Sequence, residues 1–438
     1  MDSSAHHHIA GLVQPDRVHH SVYSDPVLFD LEMDRIFGRA WLLLGHESQV
    51  RSTGDFITTR MAREPVIVCR HDDGSIRVFA NRCLHRGSIV CHEASGKARQ
   101  FVCPYHGWAY ATDGELRALP VPEGYKPDLR SVAQMGLAPV PRVDLYRGFI
   151  FASLAAEGPS LREFLGPVAS SFDDLVDRAP GGELEVAGGV FKHAYDGNWK
   201  LVLENHLDGV HPAFVHQSSV QAAKDLPAPE GEAYSTIALK QMRQNAAPKE
   251  VWEAIGMWVA DWGHGYMGDY HDDSRLVSGL DNPIFAEYHA RLEAEHGKQR
   301  TQEILDVTRW NSIVYPNVSF MSQFRQVRIV HPLAVDRTVV YTYSFRMPKA
   351  PPQMFRDTIA MANVVNGTGS WVLTDDLEVY ERTQRGLTAR QPEWVYLGRG
   401  FGGDVPQPDG TRRGATGTSE IFIRNQFAAW LRYMTTAA

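Results

Sequence analysis

The chain of 438 residues is poor in cysteine, has no long apolar run and carries no block of like charge. Its four cysteines do not make a disulfide framework in a chain of this length, which favours a reducing, cytoplasmic environment, and we expect Cys69 and Cys91 to be buried apolar side chains. Because the sequence contains no run of about 18 apolar residues and no signal-peptide pattern at its amino terminus, we expect neither a membrane span nor a signal peptide. The formal net charge of −8, with dispersed charges, argues against a nucleic-acid-binding surface.

Length and local composition predict two domains. A chain of 438 residues exceeds what one hydrophobic core usually supports. Short alternating runs separated by turn signals predict a small all-β domain over 46–157. Longer strands with intervening helices predict an α+β domain over 158–438. Helical spacing of apolar residues predicts a helix over 25–45, within an N-terminal segment, 1–45, that packs on the second domain.

The pattern of the second domain predicts a coarse order of elements. Helical periodicity predicts helices at 161–176, 198–207, 286–307, near 352–364 and near 375–385. Runs of β-branched and aromatic residues predict strands at 183–194, 318–330 and 338–346. The segment 260–273 is rich in glycine and aromatic residues, and we expect either a flexible lid or a plain surface connection there.

Two cysteine–histidine pairs in the first domain predict a metal centre. Cys83 and His85 are separated by one residue, Cys103 and His106 by two, and 17 residues lie between the pairs. Two thiolates and two imidazoles can hold either Zn²⁺ or a [2Fe–2S] cluster with mixed ligands. Structural zinc sites usually group like ligands, whereas here each segment carries one of each, which favours the cluster.

A second motif, Asp208-x₂-His211-x₄-His216, predicts a mononuclear iron site. Two histidines and one carboxylate suit ferrous iron with open positions for O₂, and from the residues alone Asp208 could be the third ligand. On an ideal helix the two histidines would diverge by roughly 140°, but Pro212 breaks the helix and lets both face one ion. The alternative is a pair of ordinary helix histidines, which the cluster motif upstream disfavours, since a one-electron cluster needs an acceptor.

Together these motifs resemble the large (α) subunit of Rieske non-haem iron aromatic ring-hydroxylating oxygenases, over the whole chain. The resemblance implies an α+β fold class, with an all-β Rieske [2Fe–2S] domain followed by a helix-grip catalytic domain, an antiparallel sheet with helices. It implies a Rieske cluster bound by Cys83, His85, Cys103 and His106. It also implies that His211 and His216 bind mononuclear Fe(II).

The resemblance assigns Asp208 a different role from that of a ligand. In the family this aspartate bridges an iron histidine to a cluster histidine of the neighbouring subunit, at the position of His106. The third ligand is a carboxylate near the carboxyl terminus, and we prefer Asp376 to Asp375. The alternative is a helix start in which Thr374 is the N-cap and the aspartates favour the positive end of the helix. The two interpretations are compatible if Asp375 stabilises the start of the helix and Asp376 faces the iron.

The implied function is that of a terminal oxygenase component. A reductase, with or without a ferredoxin, would supply electrons from NAD(P)H, and oxygen from O₂ would be inserted into an aromatic substrate. The family assembles as a trimer, so we expect a homotrimer, or α₃β₃ with a small β subunit. The Asp-Gly-Val-His segment at 208–211 resembles the benzoate-type branch, which implies an aromatic acid and ring mono- or dihydroxylation. A Rieske monooxygenase that removes O- or N-methyl groups remains an alternative, as does a non-catalytic iron–sulfur electron-transfer protein.

Several residues are candidates for the substrate cavity. Arg325 or Arg328 could bind a carboxylate through two hydrogen bonds. Three residues apart on one strand, they would face opposite sides, so at most one could serve. His331 is a further candidate. The apolar candidates are Leu207, Val210, Phe214, Phe320 and Phe324.

Overall fold

The computed structural model describes residues 9–125, 135–225, 242, 245–268, 283–307 and 309–436. The chain forms two compact units. One runs from Phe37 to Leu161, and the other joins the residues up to Ile36 to those from Arg162 onward. The first unit therefore begins before residue 46, because the strand Leu42–His46 pairs with a strand of the same unit, Phe149–Ser153.

The N-terminal segment starts with a small hairpin and a helix. It contains β1 (Val13–Gln14), β2 (Arg17–His19), α1 (Ser21–Ser24), α2 (Pro26–Glu32) and a π-helical turn, Met33–Phe37. Asp25 caps α2 by accepting from the amide of Val27 at 2.7 Å. The predicted helix over 25–45 is wrong beyond Phe37, since Leu42–His46 is a fully buried strand. Apolar periodicity does not separate such a strand from a buried helix.

The first unit is all-β in its described residues, as predicted. Its strands are β3 (Leu42–His46), β4 (Asp55–Met61), β5 (Glu64–Arg70), β6 (Ile76–Ala80), β7 (Ser95–Lys97), β8 (Gln100–Val102), β9 (Ala109–Ala111), β10 (Leu116–Ala118), β11 (Arg142–Tyr146) and β12 (Phe149–Ser153). They form three antiparallel sheets with the orders β6-β5-β4-β7, β10-β9-β8 and β11-β12-β3. Cys69 and Cys91 belong to the apolar core of this unit, and all four cysteines are free.

The second unit wraps helices around one large sheet. Its helices are α3 (Leu161–Leu165), α4 (Ala169–Asp177), α5 (Trp199–His206), α6 (His211–Val215), α7 (Gln217–Asp225), α8 (Lys249–Ala254), α9 (Pro283–Asp306), α10 (Pro352–Val365), α11 (Leu373–Leu387) and α12 (Ile421–Thr435). Its strands are β13 (Glu185–Tyr195), β14 (Gly256–Val259), β15 (Gly265–Gly268), β16 (Arg309–Val314), β17 (Val318–Met321), β18 (Gln326–Ala334), β19 (Arg337–Arg346), β20 (Trp394–Tyr396), β21 (Val405–Pro406) and β22 (Arg412–Arg413). The nine-stranded sheet has the order β13-β19-β18-β17-β16-β15-β14-β22-β21 and is antiparallel, which agrees with the predicted α+β class.

The sequence pattern missed α12 and the strands β14 to β16, and it misjudged segment 260–273. Within that segment, Asp261–Gly263 is a 3₁₀ turn and β15 is a buried strand of the sheet, so this part is neither a lid nor a surface loop. Residues 269–273 lie outside the described residues. A Cβ on Gly265 would come within 2.8 Å of the Phe422 ring, so glycine here permits close approach of α12 rather than mobility.

A buried charge fixes the N-terminal segment to the rest of the second unit. The carboxylate of Glu32 accepts from Lys200 Nζ at 2.5 Å and from the indole nitrogens of Trp199 at 2.8 Å and Trp430 at 2.6 Å. These donors come from α5 and α12, and Glu32 is fully buried. A buried carboxylate with three donors is satisfied, and it holds the start of α5 in place.

Candidate metal centres

Two loops of the first unit present the predicted cluster ligands in the same local geometry. The amide of Gly87 donates to the carbonyl of Cys83 at 2.9 Å, and the amide of Gly107 donates to the carbonyl of Cys103 at 3.0 Å. Both glycines have a left-handed backbone, with φ of 74° and 72°. Other residues are strained in that conformation, so each pair requires the glycine that follows it.

The four side chains carry the donor atoms that a mixed-ligand cluster needs. Cys83 and Cys103 are almost completely buried, and the rings of His85 and His106 lie 4.5 Å apart between centroids. Among the described residues, the Nδ1 atoms of both histidines are buried without a hydrogen-bond partner. Buried polar atoms are rarely left unpaired, so these two nitrogens fit a bound metal. The donor set therefore fits a Rieske [2Fe–2S] cluster.

The surroundings of this site favour the thiolate form of one cysteine. Burial alone would raise the pKa of the Cys103 thiol, but hydrogen bonds, chiefly from the Tyr105 amide and the Cys83 thiol, lower it below its ordinary value. Tyr110 Oη lies 3.1 Å from Cys83 Sγ. Burial lowers the pKa of His106, so the neutral imidazole that a metal requires is favoured.

The second motif lies where one helix ends and another begins. Asn198 caps α5 by accepting from the amide of Lys200 at 3.1 Å. Helix α5 ends at His206, residues 207–210 leave the helical path, and α6 starts with Pro212 in its first turn. Proline fits this position because it lacks the amide that a continuous helix would use. The break turns the two histidines of the motif toward the same space, as predicted.

His211, His216 and Asp376 form a compact group of potential metal ligands. One atom from each lies within 4.8 Å of the others. His216 Nε2 is 3.4 Å and His211 Nε2 is 3.8 Å from Asp376 Oδ1. Two imidazoles and one carboxylate at this spacing match the facial triad of non-haem iron sites. Asp208 is not part of this group.

Neighbouring groups orient both imidazoles toward Asp376. His211 Nδ1 donates to the carbonyl oxygen of Asp208 at 3.0 Å. His216 Nδ1 lies 3.4 Å from Asp375 Oδ2. Because Nδ1 of each ring has a partner outside the triad, Nε2 of each ring is available as the metal-binding atom. Ligating histidines in metal sites usually have such a partner on the other ring nitrogen. The two adjacent aspartates thus have different positions, with Asp376 in the triad and Asp375 behind His216.

The start of α11 places Asp376. The side-chain amide of Asn205 donates from Nδ2 to Asp376 Oδ1 at 3.2 Å. Burial raises the pKa of this carboxyl, while the two histidines oppose the shift. Thr374 is not the predicted N-cap, because its hydroxyl donates to backbone carbonyls. Ser370 instead accepts from the amide of Leu373 at 3.0 Å.

The carboxylate of Asp208 lies outside the triad. It accepts from the amide of Val210 at 2.7 Å and lies 3.4 Å from Arg399 Nη2. About a quarter of the side chain is exposed, at 24%. Within one chain, Asp208 therefore contacts His211 through its backbone carbonyl and not through its carboxylate.

A cavity of about 100 Å³ adjoins the triad in the second unit. One part of its wall is apolar and sulfur-rich, and the other carries nitrogen and amide groups. The apolar part includes Met267, Met321, Met361, Val365, Val372 and Leu373. The polar part includes His193, Asn205, His206, Asn311, Arg328 and Asn366.

None of the five predicted apolar residues lines this cavity. Phe320 faces the opposite side of the sheet, where its ring lies 4.6 Å from that of Phe172. Phe214 is 76% exposed. Phe324 packs in a small cluster with Met321 and Met361. Leu207 and Val210 are also absent from the lining. Both residues lie in the turn between α5 and α6.

Only one of the two candidate arginines, Arg328, reaches the cavity. Arg325 precedes β18 with φ of 53°, and its guanidinium bonds to the hydroxyl of Thr358 and the carbonyl of Met354. His331 packs against the ring of Tyr341 at 4.7 Å and does not line the cavity.

The first unit carries a cysteine–histidine site that fits an iron–sulfur cluster, and the second carries a triad that fits a single metal ion. This combination is typical of an iron–sulfur protein with a second, mononuclear metal site. The chain belongs to the family of ring-hydroxylating oxygenase α subunits. The family description "Ring hydroxylating alpha subunit (catalytic domain)" matches residues 183–436, and "Rieske [2Fe-2S] domain" matches residues 40–134. The predicted family, fold class and cofactors are thereby confirmed.

Several characterised proteins are similar to the chain along most of its length. Toluate 1,2-dioxygenase subunit alpha of Pseudomonas putida is 34% identical over 396 residues, covering 87% of this chain and 82% of that protein. The 2-halobenzoate 1,2-dioxygenase large subunit of Burkholderia cepacia is 30% identical, covering 91% and 83%. A solved structure of naphthalene 1,2-dioxygenase with indole bound in its active site superposes with a TM-score of 0.81 at 27% identity, covering 97% of this chain and 94% of that one.

Family membership makes the chain a Rieske oxygenase that carries a [2Fe–2S] cluster and mononuclear iron. Such terminal oxygenases work with a reductase or ferredoxin, through which NAD(P)H supplies electrons. Among the described residues, no helix is both long and apolar enough to span a membrane.

Proposed function

We propose that this oxygenase hydroxylates the ring of an aromatic acid. The observation that carries the proposal is the triad of His211, His216 and Asp376 beside a cavity whose wall includes the guanidinium of Arg328. The similar proteins named after toluate and halobenzoate act on aromatic carboxylates, which supports the same substrate class here.

Each predicted ligand has a role in this proposal. Cys83, His85, Cys103 and His106 hold the Rieske cluster. His211, His216 and Asp376 hold Fe(II), which supplies the chemistry of O₂ reduction while the cluster supplies electrons singly. The chain's own contribution is orientation. The Asp208 carbonyl fixes the tautomer of one imidazole, and the Asp375 carboxylate supports the other.

Asp208 is proposed as the connection between subunits. Its partly exposed carboxylate and its carbonyl, which accepts from His211 Nδ1, lie on one residue. A neighbouring subunit that presents a cluster histidine to this carboxylate would complete the path to the iron site. Such head-to-tail contacts close into a ring, so we propose a trimer, either α₃ or α₃β₃.

The function is tested by product analysis with ¹⁸O₂. The purified holoenzyme, with a reductase and NAD(P)H, is offered benzoates, neutral arenes, aryl methyl ethers and N-methyl anilines. Ring-hydroxylated acids that carry ¹⁸O are the expected products. Loss of methyl groups as formaldehyde, with no ring hydroxylation, would establish the demethylating alternative. A reducible cluster and a filled iron site without any product would establish electron transfer alone.

A further inference from the structure

Arg328 and His193 lie on one face of the large sheet, toward the cavity. Arg328 of β18 pairs with Thr342 of β19. His193 of β13 pairs with Val340 of β19, which pairs in turn with Val330 of β18. Directly paired residues share a face, and so do residues two apart on a strand. Both side chains line the cavity that also contains the triad.

The guanidinium of Arg328 is buried, and the protein groups that it donates to are neutral. It is 4% exposed, and it donates to Asn366 Oδ1 at 2.9 Å, Ser319 Oγ at 3.4 Å and Met321 Sδ at 3.1 Å. In the part of the chain that the structure describes, Arg328 forms no ion pair. A thioether is a weak acceptor, so the planar donor fork of this arginine is poorly matched by the protein itself. A buried cation of this kind is costly unless an anion pairs with it.

His193 adds unused hydrogen-bonding capacity to the same wall. It is 5% exposed, and in the described residues both of its ring nitrogens are buried without a partner. Burial, and then the charge of Arg328, lower its pKa to about 4. The ring is therefore neutral near pH 7 and offers one N–H donor. Together, His193 and the guanidinium of Arg328 place hydrogen-bond donors on the same part of the cavity wall.

Arg325 is a natural comparison, since it is also buried and lies three positions earlier. Its donors are used within the protein by Thr358 Oγ1 at 2.9 Å and Met354 O at 3.0 Å. It does not line the cavity. Of these two buried guanidinium groups, Arg328 is thus the one that a ligand in the cavity can reach.

We propose that Arg328, with His193 beside it, binds the carboxylate of the substrate and so selects which ring atoms face the metal triad. Two oxygens in one plane match the donor fork of a guanidinium. The apolar wall on the other part of the cavity, which includes Met267, Met361 and Val365, would contact the ring. This inference rests on the proposed function, because it assigns the acid specificity of that same site.

Binding of benzoate and benzamide to the anaerobic holoenzyme, measured by calorimetry, tests this without turnover. The two ligands share shape but differ in charge. The wild type should bind benzoate about 30- to 100-fold more tightly, the range of a charge-assisted pair of hydrogen bonds. R328Q should abolish that preference, R328K should retain part of it, and H193F should reduce it by about 3- to 10-fold.

R325Q is the matched control and should leave the preference for benzoate unchanged. Cluster absorbance and iron content show whether each variant is folded. Retention of the full preference in R328Q would overturn the inference, as would equal binding of both ligands by the wild type, a result that needs no variant. If the wild type hydroxylates aromatic acids but R328Q keeps its preference, this inference alone fails. If the wild type hydroxylates no aromatic acid, the proposed function fails.

Discussion

The ligands of the two candidate metal sites are separated by very different distances along the sequence. The cluster loops are local, because each closes through a bond from a glycine amide to the carbonyl of the ligating cysteine. The triad instead joins His216 at the end of α6 to Asp376 in α11, and a buried aspartate–histidine contact holds the two together. Damage to distant packing should therefore affect the triad first, whereas local backbone strain should affect the cluster first.

The largest expected effect comes from Asp376. D376A removes the only carboxylate of the described triad, so iron should be lost and ring hydroxylation should fall by at least about 1,000-fold, well beyond the 10- to 100-fold typical of supporting residues. The cluster, held in the other unit, should keep its absorbance. Iron and acid-labile sulfide per chain measure both sites at once.

Asp375 is the matched control for that variant. D375A removes only the outer partner of His216, so iron affinity should fall by about 10-fold. Equal loss of iron in the two variants would contradict the assignment of Asp376 as the ligand.

The next effect concerns the proposed link between the two kinds of site. D208A should leave cluster and iron in place, yet lower reductase-driven turnover by about 100-fold. Stopped-flow reoxidation of the reduced cluster, with substrate and O₂ present, should slow by the same factor, which a purely structural role would not cause. D208N keeps the shape of the side chain but not its charge, and it should restore little of the turnover. Normal reoxidation in D208A would remove this residue from the electron path.

Long-range packing behind the triad is tested at Lys200. K200M leaves the buried Glu32 carboxylate with its two indole donors alone, so we expect a loss of about 3 kcal/mol in the free energy of unfolding. A urea titration monitored by iron release should show this loss of stability. The cluster absorbance should change only at a higher urea concentration. E378Q breaks the exposed pair of Glu378 and Arg382 and should cost below about 0.5 kcal/mol. Simultaneous loss of both metals in K200M would show that the two sites are not independent.

The smallest effect tests the cluster loops. G107A places a side chain at φ of 72°, which should cost about 1–2 kcal/mol. Its new Cβ would also lie 3.2 Å from Pro120 Cγ. Thermal bleaching of the cluster should occur at lower temperature, with iron at the triad unaffected. G124A, at a glycine with an ordinary φ and no close neighbour, should not shift the bleaching temperature downward.

Local sites are readable from sequence because spacing alone brings their ligands together. The positions of Cys83, His85, Cys103 and His106 follow from two short loops, and their donor atoms fit a cluster. The histidines of the second motif are predicted from their spacing together with the helix break at Pro212. The choice of Asp376 over Asp375 depended on family resemblance, since adjacent residues on a helix differ by about 100° in direction and sequence does not fix the phase.

The cavity was not predictable in the same way. Its wall combines His193, Met267, Asn311 and Arg328 from four strands, and their meeting depends on strand order and register. The glycine-rich composition of β15 predicts a loop, whereas Gly265 permits close packing against Phe422 of α12. Propensity is weak where tertiary contact decides.

The most direct test of the account is a single turnover. Holoenzyme with both metal sites reduced, freed of reductant and reductase, is mixed with ¹⁸O₂ and benzoate, and the products are analysed by mass spectrometry. The account predicts a ring-hydroxylated acid that carries ¹⁸O, with oxidation of the cluster in the same event. Unchanged benzoate from enzyme whose cluster and iron are both present and reduced would contradict it.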